Sequence, residues 1–126
     1  MGLVYTMITL RNPRYPELDP IEVEALADTG AIHTCIPEHV AVQLKLDKYD
    51  QKEATLADGS TRLLDYVGPL ELHFRNRVGL GGALVLGDQV LLGAITMEDM
   101  DLVVHPRSRS VEVNPKNPNI GCSTIK

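Results

Sequence analysis

The first place in this chain where residue type and spacing suggest chemistry is Asp28-Thr29-Gly30-Ala31. A carboxylate carried on a turn at the end of an apolar strand can take or give a proton. Asp and Gly are also ordinary turn formers, so these four residues alone fit a tight turn equally well. Their surroundings narrow the reading. Ala25-Leu26-Ala27 precede them, Thr34-Cys35-Ile36 follow, an Asp58-Gly59 pair comes next, and an apolar Leu91-Leu92-Gly93 lies downstream ahead of a helical segment.

Other reactive groupings carry less. His33, Cys35 and His39 form an H-x-C-x3-H cluster with Cys122 as a distant fourth thiol, but Pro37 interrupts the path and structural zinc sites show paired cysteines; no metal is expected. Glu98-Asp99-Met100-Asp101 lacks the spaced oxygen ligands of a calcium loop. Gly79-Leu80-Gly81-Gly82 fails the dinucleotide fingerprint, since Leu84 takes the third small position and no helix follows. Arg107 and Arg109, beside Ser108 and Ser110, read as a basic surface turn.

The elements that must position Asp28 are strands. Aliphatic and β-branched residues dominate Val4 to Leu10, after which Pro13, Pro16 and Pro20 break the chain. Ile21, Val23, Ala25 and Ala27 then alternate with Glu22 and Glu24, the period of a strand with one wet face, and this strand runs into Asp28. Thr34-Cys35-Ile36 reads as a short buried strand. Pro37-Glu38 opens a helical turn with Val40, Ala41 and Leu44 on one face. Residues 45–53 are highly charged and are expected in solvent, ahead of a β region that starts at Ala54. Asp58-Gly59 between strand-like runs predicts a projecting hairpin. Gly68-Pro69 punctuates the chain again, residues 70–75 alternate, Asn76-Arg77 is an expected turn, and Val78 to Leu86 continues the sheet. Val90 to Gly93 is too apolar to be exposed, Ala94 to Met100 offers one or two helical turns, and residues 101–113 read as a last hairpin around Pro106 to Ser110. The tail, with Asn114-Pro115 and Asn117-Pro118, is expected to be loose unless a partner ties it down.

Composition bounds the class. The 126 residues suit one domain, 1–126, and 36 of them are Leu, Val or Ile, enough for a core although Phe occurs once and Trp never. Twelve basic against 17 acidic residues give a net charge of −5, which disfavours a nucleic-acid partner. No apolar run reaches the roughly 20 residues of a membrane helix, and the start has no basic n-region, so a soluble cytoplasmic protein with two reduced thiols is expected. Met1-Gly2 with Thr6 formally fits a myristoylation pattern, but the residues that follow read as a strand. Many short strands with a short helix near the C-terminal half give an all-β barrel as the fold class.

The order Asp28-Thr29-Gly30-Ala31, then Asp58-Gly59, then Leu91-Leu92-Gly93 with a helix after it, resembles the retropepsin-like aspartic proteases over nearly the whole chain. These are single-domain relatives of pepsin found in retroviruses and in bacteria. The ending Asp101-Leu102-Val103-Val104-His105-Pro106, with a basic turn and Val111-Glu112-Val113, looks like the bacterial branch. The resemblance implies a cofactor-free endopeptidase with a polypeptide substrate, in which two carboxylates share a proton: one activates water, the other hydrogen-bonds the scissile carbonyl. No second Asp-Thr/Ser-Gly exists in the chain, so a complete site needs a homodimer with one Asp28 from each copy. Thr29 would then bridge to the opposite chain, and Gly30 would let the two loops approach. An acid to neutral pH optimum follows from the shared proton.

The same resemblance puts Asp58-Gly59 at the place of a lid, so Ala57, Asp58, Gly59 and Ser60 are the lid candidates; Ala31 is a further substrate-binding candidate, and Ile32, Val85 and Ile95 are expected pocket walls. Substrate would add as a strand, main chain to main chain. Two departures stand out. Many retroviral members pair an acidic residue straight after the first signature with an arginine straight after the second; here Ile32 and Ala94 occupy those places, so the floor must be braced differently. The lid has one glycine, not several. A non-catalytic peptide-binding or dimerisation module on the same barrel is the alternative. Leu3 to Thr9 or Ile120 to Ile125 are the candidate dimer strands.

Overall fold

The computed structural model describes residues 3–125, so Met1-Gly2, on which the myristoylation pattern rests, lie outside the described residues. Among the described residues, nine strands and two short helices follow in the order β1 (Tyr5–Arg11), β2 (Ile21–Ala27), β3 (Cys35–Ile36), α1 (Glu38–Gln43), β4 (Asp47–Thr55), β5 (Thr61–Phe74), β6 (Arg77–Val85), β7 (Val90–Leu92), α2 (Ala94–Asp99), β8 (Leu102–His105) and β9 (Ser110–Val113). The sheet order is β1-β2-β7-β3-β6-β5-β4, and β1 also pairs with β5. That last pairing closes β1, β2, β7, β3, β6 and β5 into a barrel, the all-β architecture expected, and leaves β4 outside the ring as an appended edge.

Alternation places the core. On β2 the side chain of Ala25 is fully buried and Ile21, Val23 and Ala27 pack against the core, while Glu22 and Glu24 face solvent. Leu10, Ile36, Leu44, Leu70, Leu92 and Met100 form its fully buried centre. The helix opened by Pro37 buries Val40 and Ala41, and α2 buries Met97. Burying such side chains contributes about 1.5–3 kcal/mol each.

The chain differs from its sequence reading in four places. Residues 47–55 are a strand, not a solvated loop: β4 pairs with β5 from Asp47↔Gly68 to Thr55↔Thr61 while its first five side chains stay exposed. Backbone pairing rather than burial specifies it, so hydrophobic periodicity cannot register it. Gly68-Pro69 does not end a strand; β5 runs through it, and its pairing with β6 shifts register between Val67 and Leu70, where Pro69 has no N–H to donate. The turn after β5 is at Arg75-Asn76, with Arg75 at φ 51, and Arg77 opens β6 with only 3% of its surface exposed. The tail is tied down from within the same chain. Arg77 donates from Nε to Met100 O at 2.9 Å and from Nη2 to Asn117 O at 2.5 Å. The Asp101 carboxylate accepts from Asn114 Nδ2, Asn117 Nδ2 and Cys122 N at 3.0, 2.7 and 3.0 Å. Those hydrogen bonds hold its carboxyl below the usual range, the Asn114 bond contributing most and the Arg77 charge least.

Candidate functional site

β2 delivers Asp28 by continuing its parallel ladder with β7 one step past Ala27↔Leu92: Asp28 N donates to Leu92 O at 3.0 Å. The chain then turns, with Ala31 N donating to Asp28 O at 3.1 Å. Inside that turn Gly30 N donates to Asp28 Oδ1 at 3.0 Å, which fixes the carboxylate's orientation. A Cβ at Gly30 would stand 3.3 Å from the same oxygen, tighter than ordinary contact. Asp28 is half-buried, and Thr29 and Gly30 are exposed.

The second apolar-Gly element packs directly under this turn. Ala94 N donates to Ala31 O at 2.8 Å and Ile95 N to Ile32 O at 3.1 Å, so main-chain bonds join the two segments at Ile32 and Ala94, neither of which carries a charge. Gly93 lies so close to His33 that a Cβ there would fall 2.4 Å from the His33 carbonyl carbon. Below, the buried Thr34 hydroxyl accepts from Gly93 N at 3.1 Å and lies 2.7 Å from Thr96 Oγ1. In the sequence Thr34 reads only as part of a buried strand, and a hydroxyl amid aliphatics is the signal it carries.

Ala57, Asp58, Gly59 and Ser60 are all exposed at the tip of the β4–β5 hairpin. Gly59 takes φ 86, a left-handed conformation natural to glycine. Asp58 Oδ1 accepts from Ser60 N at 2.9 Å and Ser60 Oγ at 2.5 Å, which lowers its carboxyl below the usual range. Of the three wall residues, Ile32 and Ile95 are joined through their main chains, and Val85 borders a different groove. Ile32 is exposed, Ile95 borders a cavity of 250 Å³ with His33 and Asp99, and Val85 borders a separate groove of 420 Å³ beside α1.

A further apolar face was missed. Leu26 pairs with Leu91, Leu91 with Cys35, and Cys35 with Leu84, a row across β2, β7, β3 and β6. Leu26 has the opposite parity on β2 to the core residues Ala25 and Ala27, and Cys35, Leu64 and Leu84 form a second cluster with Leu91, Leu86, Ala54 and Tyr66 packed on it. The row therefore lines the face of the sheet away from the main core, next to Asp28. Its sequence signal was the break in alternation at Ala25-Leu26-Ala27, where the strand becomes apolar on both faces. Burial pushes the Cys35 thiol above its usual range, and the Asp28 charge acts in the same direction. The His33 ring packs edge-on against Tyr66, and among the described residues no three His, Cys, Asp or Glu side chains converge as metal ligands would.

No family profile and no curated protein matches the chain. Among solved structures, the retroviral protease-like domain of Ddi1 from Leishmania major superposes with a TM-score of 0.63 over 91% of this chain and 90% of that one, at 11% identity. The fold is that of a retroviral protease-like domain. At such low identity the likeness establishes architecture, and the site must be argued from its own residues. No helix among the described residues is long and apolar enough to cross a membrane.

Proposed function

We propose that this chain is an aspartic endopeptidase that works as a homodimer, each copy giving one Asp28 to a shared site. The observation that carries the reading is the Asp28 turn itself: a half-buried carboxylate, oriented by Gly30 N, at the end of a barrel strand and braced by the Gly93 segment. Thr29 and Gly30, exposed in the single chain, are free to meet a second copy. The likeness to a retroviral protease-like domain supports the same reading.

In that dimer two carboxylates about 3 Å apart share one proton, because both cannot carry charge at that separation. The ionised one removes a proton from water as the oxygen attacks the peptide carbonyl; the protonated one donates a hydrogen bond to the carbonyl oxygen as it gains charge. The proton returns to the leaving nitrogen as the C–N bond breaks. The half-buried Leu26 and Leu91, backed by the buried Cys35, would give substrate side chains an apolar wall, and the exposed Ala57–Ser60 tip would serve as the lid.

The test combines mass in solution with a peptide-cleavage assay from pH 3 to 8, with and without a pepstatin-type inhibitor. Dimer mass, cleavage that falls toward alkaline pH, loss of cleavage in Asp28→Asn and indifference to chelators are expected. A dimer in which wild type and Asp28→Asn bind peptides alike, with no hydrolysis anywhere in that range, means a binding module instead.

A further inference from the structure

The 250 Å³ cavity beside Ile95 is not part of the Asp28 turn, yet it is built from the segment that leaves it. His33 and Tyr66 form one wall, their rings 5.9 Å apart and nearly perpendicular. Leu80 and Ile95, 64% and 52% exposed, form apolar flanks, and Thr96 and Asp99 on α2 supply polar groups. Gly82 makes room for the wall: a Cβ there would fall 2.4 Å from Tyr66 Cζ.

The residues that line this cavity include one carboxylate and no lysine or arginine. Asp99 is its acidic group, and among the described residues it makes no ion pair or side-chain hydrogen bond. It also sits in the last turn of α2, which has no basic residue there, so its charge opposes the negative end of the helix. Lys52 approaches the Tyr66 ring at 5.0 Å from β4 but does not border the cavity. An unpaired carboxylate, an aromatic wall and aliphatic flanks together match a planar cation on an apolar stem.

We infer that this cavity recognises an arginine side chain of an extended polypeptide, the guanidinium paired with Asp99 beside the His33 and Tyr66 rings and its methylenes along Ile95 and Leu80. That the arginine belongs to a cleavable substrate rests on the endopeptidase reading; the preference for the cation does not. Ile95 N is bonded to Ile32 O, four residues past Asp28, and His33 and Ile95 both line the cavity, so it borders the segment that follows the Asp28 turn.

The test is an amide-resolved NMR titration of the wild-type protein with N-acetyl-arginine amide and, separately, its neutral isostere N-acetyl-citrulline amide. The arginine probe is expected to shift the amides of His33, Thr96 and Asp99 with at least fivefold tighter binding than the citrulline probe. Asp99→Asn, at an exposed position, is expected to bring the two probes within twofold of each other while the rest of the spectrum reports an intact fold. Equal binding of both probes by wild type, shifts elsewhere than the cavity, or a preference that survives Asp99→Asn would overturn the assignment. Failure of the catalytic reading shows separately, as absent peptide cleavage, and leaves this titration unaffected.

Discussion

Thr34 is the residue whose replacement probes how the Asp28 turn is supported. Its side chain is 2% exposed, and its hydroxyl oxygen is the acceptor for the buried Gly93 N–H. Thr34→Val keeps the shape and the β-branching that suit a strand but leaves that N–H with no acceptor, at a cost of about 1–3 kcal/mol. The half-buried Thr96 hydroxyl also loses its partner but can turn toward water, so it adds only about 0.5 kcal/mol. A net loss of about 2 kcal/mol follows, equivalent to a fall in Tm of about 7 °C for a domain of this size. With no tryptophan in the chain, urea unfolding is followed by far-UV circular dichroism at one fixed protein concentration, which keeps any dimer contribution constant. Thr96→Val, which leaves Gly93 N bonded, is expected to cost about 1 kcal/mol or less. The double variant should then lose little more than Thr34→Val alone, because the two hydroxyls serve one network. A Thr34→Val protein within about 0.5 kcal/mol of wild type, or a Thr96→Val protein equally damaged, would refute this account of the support.

Three further outcomes are expected. Gly93→Ala, which drives a methyl into the His33 main chain, should destabilise by about 3 kcal/mol or more, whereas Gly81→Ala, with open space around its Cβ, should lose less than about 1 kcal/mol; similar losses for both in thermal melts would contradict the packing described. The Asp101 carboxyl keeps its charge to lower pH in the folded chain than in the unfolded one, so its contribution is complete above the unfolded value near 4 and is lost as pH falls through the lower folded value. Urea midpoints of wild type and Asp101→Asn, measured from pH 6 down to 2, should therefore converge at the acid end, and parallel curves would discount the tail anchor. Cys122 is exposed and Cys35 is buried with a raised thiol, so a disulfide reagent should find one fast thiol per native chain and two after denaturation. Loss of the fast reaction in Cys122→Ser assigns it; two fast thiols in the native protein would mean that the Cys35 wall opens.

What was legible from residues alone was whatever short-range rules encode. The alternation from Ile21 to Ala27 placed β2 and its core face, Asp58-Gly59 placed the hairpin tip, and Asp28-Thr29-Gly30-Ala31 marked the turn, because each signal lies within a few neighbouring residues. The contacts made by distant segments were decided only by the folded chain. β4 is a strand because β5 offers it hydrogen-bonding partners, Arg77 is buried because Met100 and Asn117 present carbonyls to it, and the tail is held because Asp101 gathers three donors from beyond β9. Thr34 and Gly93 meet under Asp28 for the same reason: 59 residues of chain separate them, and closing the barrel brings them to 3.1 Å. A linear sequence specifies side-chain chemistry and local backbone preference, while hydrogen bonds between remote segments exist only once the sheet has set their register.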